Sequence, residues 1–278
     1  MKSYQPIISC LLGLLTLTAR PAWTDPFAFN IGSNGTLGTL NLATGVLTQT
    51  GNSGITPAGL GEIGSTLFTA DSEGTGLYRV NTLSDTLTQI SSLGLKGAGF
   101  NSLGSTTTGL YALDNSFNLY SINPTSGAAT LLGPTGVLTG VVAGSYGYGL
   151  STGSSTLYFE DDFDLYSLNT TTGKGTLIGQ SGAPGIGFNS LVSENGTLYG
   201  VESANTLPYN TVYTINTSTG AGTLDATLNP DVAVASWGLA PAFAAPEPDA
   251  LMLLLVGFGF VGAGARWCAA CLQKISGS

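Results

Sequence analysis

Histidine is absent from this chain, and cations are scarce. Without histidine, both the commonest general base near neutral pH and the commonest transition-metal ligand are missing. Serine is abundant, but with no histidine and no well-placed lysine no nucleophile–base triad can be assembled. Only 7 Lys and Arg stand among 278 residues, and between the two ends they are Arg79, Lys96 and Lys174. A phosphate-binding surface needs clustered cations, so nucleic acid is excluded as a partner. Cysteine is confined to Cys10, Cys268 and Cys271, all in apolar terminal segments. The middle of the chain therefore has no disulfide and no thiol nucleophile, and must be held by core burial. Charged residues make up 8% of the chain, against about 25% in a typical soluble domain. The net charge of -9 comes from scattered acids rather than from an acidic tail.

In place of charge there are 41 Gly and many Thr, Ser and Asn. That composition suits short strands joined by turns and disfavours helices. One stretch organises it: Leu165-Tyr166-Ser167-Leu168-Asn169, then Thr170-Thr171-Thr172-Gly173, then Lys174-Gly175-Thr176-Leu177-Ile178-Gly179. The first run alternates like a strand, with Tyr166 and Leu168 on one face. Asn169 caps its own turn, and Gly173 takes a left-handed conformation without steric cost. The β-branched and apolar Thr176-Leu177-Ile178 returns as the partner strand.

This hairpin occurs five times without gaps, with its asparagine at Asn41, Asn81, Asn123, Asn169 and Asn216. Four positions on stand Gly45, Asp85, Gly127, Gly173 and Gly220; seven on stand Thr48, Thr88, Thr130, Thr176 and Thr223. Three before the asparagine is Tyr78, Tyr120, Tyr166 or Tyr213, with Gly38 in the first copy. The spacing of 40 to 47 residues is that of one propeller blade. Two further strand-like runs lie between successive hairpins, such as Gly187–Val192 with Thr197–Val201, Gly99–Leu103 with Leu110–Leu113, and Val141–Ala143 with Leu157–Phe159. Four strands per repeat make one antiparallel blade. Phe27-Ala28-Phe29 stands where Leu198-Tyr199-Gly200 stands in its own repeat, so the first copy lacks a strand, and Ala235-Ser236-Trp237-Gly238-Leu239 is a strand left over at the far end. Joined, the two complete a blade and close a ring without exposed edges. The sequence thus predicts an all-β fold, a five-bladed β-propeller of four-stranded antiparallel blades over residues 25–241. An open β-solenoid is the competing architecture.

The ends differ from this domain. Residues 1–24 read as a secretory signal peptide, with Lys2 before an apolar run over 7–18 and small residues after it. At the other end, residues 242–278 carry Pro246-Glu247-Pro248, an apolar run over 250–265, and Arg266. As a transmembrane helix that run would be about 24 Å long, and a cation behind it favours a cytoplasmic C-terminus. Pro-Glu-Pro, one apolar helix and a terminal arginine together resemble the PEP-CTERM sorting signal. The tail departs from that family's usual basic cluster in having Arg266 followed by Trp267-Cys268-Ala269-Ala270-Cys271. By this resemblance Pro246, Glu247 and Pro248 are recognition residues, and Arg266 is the stop. The resemblance also implies export by the Sec machinery, a transient inner-membrane anchor in a Gram-negative bacterium, and cutting by an exosortase. The product is then released to the cell surface, in hosts that make extracellular polysaccharide. An ordinary tail anchor with an incidental Pro-Glu-Pro is the competing reading.

The remaining candidate chemistry is sparse. Glu160-Asp161-Asp162-Phe163-Asp164 is the charge cluster of the repeat domain. Asp161, Asp162 and Asp164 are candidate ligands for Ca²⁺, which takes several hard oxygens, or a paired acid and base for glycoside chemistry. The cluster falls at a hairpin turn, where a solvated acidic loop is the competing reading, and the spacing does not match an EF-hand. The repeated tyrosines and Trp237 offer sugar-stacking surfaces, but their regular placement within strands points to packing. These observations predict a non-enzymatic surface protein without a cofactor, engaged in adhesion or in binding extracellular polysaccharide. The alternatives are a lectin with one site per blade and a carboxylate-based glycan hydrolase or lyase.

Overall fold

A computed structural model describes residues 25–93, 99–137, 148–161, 163–182, 187–202, 210–229 and 236–242. The expected signal peptide at 1–24 and the whole of the tail beyond residue 242 lie outside these residues. No helix among the described residues is long and apolar enough to cross a membrane.

The described chain is a five-bladed propeller of small, mainly antiparallel sheets. Its strands run β1 (Phe27–Gly32), β2 (Thr36–Asn41) and β3 (Leu47–Asn52), then β4 (Gly61–Ile63), β5 (Thr66–Ala70), β6 (Gly76–Asn81) and β7 (Thr86–Ser92). The third blade is β8 (Phe100–Ser105), β9 (Leu110–Asp114), β10 (Asn118–Ile122) and β11 (Ala129–Pro134). The fourth is β12 (Ser151–Thr152), β13 (Leu157–Asp161), β14 (Asp164–Leu168) and β15 (Gly175–Gln180). The fifth is β16 (Ser190–Glu194), β17 (Thr197–Glu202), β18 (Thr211–Ile215) and β19 (Gly222–Thr227), after which β20 (Ser236–Pro241) follows. β20 pairs antiparallel with β1, so the last strand completes the first blade and closes the ring. The open solenoid is thereby excluded.

Three details of the sequence reading change. The register of β1 places Ala28, not Phe27, level with Leu198, since Ala28 pairs with Leu40 as Leu198 pairs with Ile215. Val141–Ala143, expected as a strand of the fourth blade, lies outside the described residues, and the inner strand described there is the two-residue β12. Leu150 bridges Phe159 of that blade, while β12 itself pairs parallel with β16 of the next. The blade's own sheet thus counts three strands, and its innermost strand is shared with its neighbour.

That sharing reflects how tightly five blades close. The inner strands approach one another as a parallel ring, with further bridges Gly59–Leu103 and Thr106–Ser154. The Thr152 hydroxyl reaches across to the Leu60 carbonyl at 2.6 Å. Side chains do not fit where these backbones meet: a Cβ on Gly104 would lie 2.4 Å from the Ser151 oxygen, and one on Gly238 would lie 2.4 Å from the Leu60 nitrogen. Five apolar clusters fill the five interfaces between neighbouring blades. Each fully buried Leu there contributes about 1.5–3 kcal/mol.

The repeated turn forms for the reason its asparagine suggests. Asn169 Oδ1 accepts from the amides of Thr171 and Thr172 at 2.9 and 3.0 Å, and the Gly173 amide donates to the Asn169 carbonyl at 2.8 Å. Asn41, Asn81, Asn123 and Asn216 make the same paired side-chain bonds. Position four of the turn is left-handed throughout, with φ 71, 53, 70, 82 and 81° at Gly45, Asp85, Gly127, Gly173 and Gly220.

This glycine also has a tertiary role. A Cβ on Gly173 would lie 2.4 Å from the Gly133 oxygen, one on Gly220 2.5 Å from the Gly179 carbonyl, and one on Gly45 2.2 Å from the Thr227 oxygen. Each turn therefore latches onto the outer strand of the preceding blade, and the first onto the last. At the one turn with a side chain the partner has none: a Cβ on Gly51 would lie 2.4 Å from Asp85 Cβ.

Candidate functional site

Antiparallel alternation sends the turns after each second strand, and the connections between blades, to one end of the ring. At that end the second strand finishes with Asp114, Asp161 or Glu202, and with Gly32 in the first blade, while in the second blade Asp71 directly follows it. Two of these acids are turn caps. Asp71 accepts from the Thr75 amide and hydroxyl at 2.6 and 2.7 Å and from the Tyr78 hydroxyl at 3.3 Å. Asp114 accepts from the amides of Ser116 and Asn118, from Asn118 Nδ2, and from the Tyr120 hydroxyl at 3.2 Å. Bonds of this kind hold the backbone of a turn and occupy the carboxylate oxygens.

Of the expected cation ligands, Asp161 and Asp164 face each other as the terminal pair of the β13–β14 hairpin, and Asp162 lies outside the described residues. Among the described residues no three His, Cys, Asp or Glu converge in a group able to hold a metal ion. Tyr166 is held above its ordinary pKa by burial and then by the charges of Asp164 and Asp161.

The solvated-loop reading fails one residue earlier. Glu160 is fully buried, on the face of β13 that meets the fifth blade. In the aligned repeats its place is taken by Ile31, Ala70, Leu113 and Val201, all buried. Burial pushes its carboxyl up to about 8; nearby Ser181 and the Phe188 backbone pull it down, while Asp164 and Asp161 push it further up. Neither Ser181 nor Phe188 makes a hydrogen bond of normal geometry to it, and both carboxyl oxygens are unpartnered. Desolvation therefore dominates and favours the protonated form of Glu160. Sealed from solvent, its carboxyl is out of reach of a ligand in the bulk, and its unpaired burial costs the fold stability. The signal that could have found it is the repeat alignment itself, in which one acid stands in an apolar column.

At the opposite end Glu62 of β4 is pushed up to about 7 by burial and then by the charge of Glu194 on β16. Its amide donates to Ser105 Oγ of the next blade at 2.9 Å.

The repeated tyrosines are packing residues. Tyr120 meets Phe100 edge-on at 6.1 Å and Tyr213 meets Phe188 at 5.3 Å, each within the interface toward the preceding blade. The Trp237 backbone lies in β20. Pro246, Glu247, Pro248 and Arg266 lie outside the described residues.

Sequence reasoning missed a cleft at the interface between the first two blades. Every outer hairpin carries a bulge at the same place, leaving Thr50, Ile90, Leu132, Ile178 and Asp225 as the extra residues. Ile90, Leu132 and Ile178 turn inward onto the apolar clusters of the next interface. Thr50 does not fill its groove, and a cleft of about 40 Å³ remains between the first two blades. Leu37, Leu60, Leu67 and Val80 are part of its apolar lining, while Thr50 and Asp85 stand at its polar side, with the Thr50 hydroxyl donating to Asp85 Oδ1 at 3.0 Å.

No protein-family model and no curated protein matches the chain. Among solved structures it is similar to a chain of a nidogen–laminin complex, at 17% identity and TM-score 0.49, over 80% of this chain and 82% of that one. It is also similar to regucalcin, a calcium-binding protein from Agrobacterium tumefaciens, at 18% identity and TM-score 0.45, over 73% and 71%. A streptogramin B lyase is similar at 15% identity and TM-score 0.44, over 74% and 66%. The blade count rests on the strand pairing described above.

Proposed function

We propose that this chain is an exported, non-enzymatic propeller, sorted to the bacterial surface by its tail and engaged there with extracellular polysaccharide. The observation that carries this reading is the order of Pro246-Glu247-Pro248, the apolar run over 250–265 and Arg266 directly behind a closed propeller. Closure by β20 joins the two ends of the ring before the tail begins, so removal of the tail costs it none of the described strands. The acids Asp71 and Asp114 serve their own turns, and Glu160 is sealed, which supports a binding module over a hydrolase. A propeller fold by itself hosts both binding modules and enzymes.

The test places an internal tag in the propeller, expresses the whole chain in its host, and measures the intact mass of the surface fraction. A C-terminus close to residues 246–248 is expected. A full-length chain remaining in the inner membrane refutes sorting by tail removal. The hydrolase alternative is tested separately, by replacing Asp161, Asp162 and Asp164 together with Asn. Retention of any glycan-cleaving activity by that variant dismisses the cluster as its source.

A further inference from the structure

The repeat places one bulge residue toward each following interface, and that residue is polar in two blades, Thr50 in the first and Asp225 in the fifth. Ile90, Leu132 and Ile178 plug three successive grooves. At the groove between the first two blades the plug is Thr50, and the turn glycine of the following blade is replaced by Asp85. Asp85 holds a left-handed φ of 53°, which a glycine would adopt more cheaply. Thr50 and Asp85, two departures from the repeat, thus meet in one cleft, and a strained residue at such a place points to a role beyond stability.

The dimensions and chemistry of the cleft restrict its occupant. One enclosed water needs about 10–15 Å³, so a cleft of about 40 Å³ admits a few waters or one small group. Leu37, Leu60, Leu67 and Val80 offer water no hydrogen bonds, so waters against them are poorly held and are displaced at a gain. The polar side carries the Asp85 carboxylate, one oxygen of which accepts from Thr50. In a chain of net charge -9 this disfavours an anion and favours a hydrogen-bond donor behind an apolar tip.

We infer that the cleft between the first two blades receives the acetamido group of an N-acetylated sugar. Its methyl group lies against the leucines, and its N–H donates to the Asp85 carboxylate. The inference rests on the polysaccharide reading above and deepens it, replacing one site per blade with a single site.

The experiment titrates the full-length protein with a soluble N-acetylglucosamine oligomer and with the de-N-acetylated oligomer, alongside T50I and D85G. Wild type is expected to bind the acetylated oligomer at least tenfold more tightly. T50I, which restores the plug, is expected to lose that binding at least tenfold while its melting temperature rises. D85G, which restores the turn glycine, is expected to lose it severalfold without loss of stability. Equal binding of both oligomers, or binding unchanged in T50I, overturns the inference. So does failure of wild type to bind the acetylated oligomer. Retention of all three proteins on the host's own polysaccharide then shows that the surface reading stands and that only the cleft assignment fails.

Discussion

The interface between the third and fourth blades and that between the first and second descend from one repeat and end in different states. In the former, Leu132 turns into a cluster with Leu119, Val137 and Phe159, and Gly173 latches its turn directly onto Gly133. In the latter, Thr50 leaves the groove open and Asp85 reaches over Gly51. The hairpins on both sides have the same turn, the same bulge and the same cap. Local structure is thus insensitive to the residue at the bulge, while the seam between blades depends on it. A propeller can therefore keep its repeat and still make its interfaces unlike one another.

Substitutions that exchange these two states sharpen the comparison. The largest effect is expected at the sealed seam. Gly173→Ala adds a Cβ 2.4 Å from the Gly133 oxygen at a φ of 82°, and is expected to cost about 3 kcal/mol in urea unfolding. An unchanged midpoint would show that the latch does not bear on stability.

The seam between the fourth and fifth blades adds a titration. Glu160 binds its proton more tightly folded than unfolded, so stability is full below its ordinary pKa of 4.5. It is lost as pH rises toward about 8, at no more than about 1.4 kcal/mol per pH unit. Glu160→Leu restores the apolar column and is expected to gain about 2 kcal/mol at pH 8 and to flatten this dependence. Glu62, pushed up to about 7 and partly exposed, leaves a shallower slope of the same sign. Equal pH profiles for wild type and variant would mean that Glu160 is not the titrating group.

Opening the sealed seam is the next test. Leu132→Thr copies Thr50 into the third blade and is expected to cost about 1.5 kcal/mol, because Leu132 is only half-buried. A cost above that of Gly173→Ala would reverse the order of plug and latch. The smallest change is expected in the other direction, at the open seam. Asp85→Gly relieves the left-handed side chain and is expected to raise stability by about 0.5 kcal/mol. A loss of stability would show that the Thr50–Asp85 hydrogen bond outweighs the strain.

Much of this molecule was legible because its repeat is local. Asn169 and Gly173 specify their turn by bonds spanning two to four residues, and an unbroken alignment of five such turns implies blades and their closure. What escaped was short or remote. β12 has two polar residues and no alternation, and exists because the crowded hub brings it beside β16. Glu160 sits within a run of acids that reads as a solvated loop, although the strand's alternation turns it into the seam while Asp161 faces the other way. Thr50 is one threonine among many, and its meaning depends on Asp85, which is 35 residues away.

By itself, then, the sequence determined the hairpins, their number and the strand exchange that closes the ring, because hydrogen bonds between near neighbours and a repeated apolar face leave few alternatives. Only the tertiary structure decided which seams are plugged, which acid is pushed toward its protonated form and where a cleft remains open. Those properties belong to surfaces that meet across blades, and burial, desolvation and steric fit act only once the surfaces are in contact.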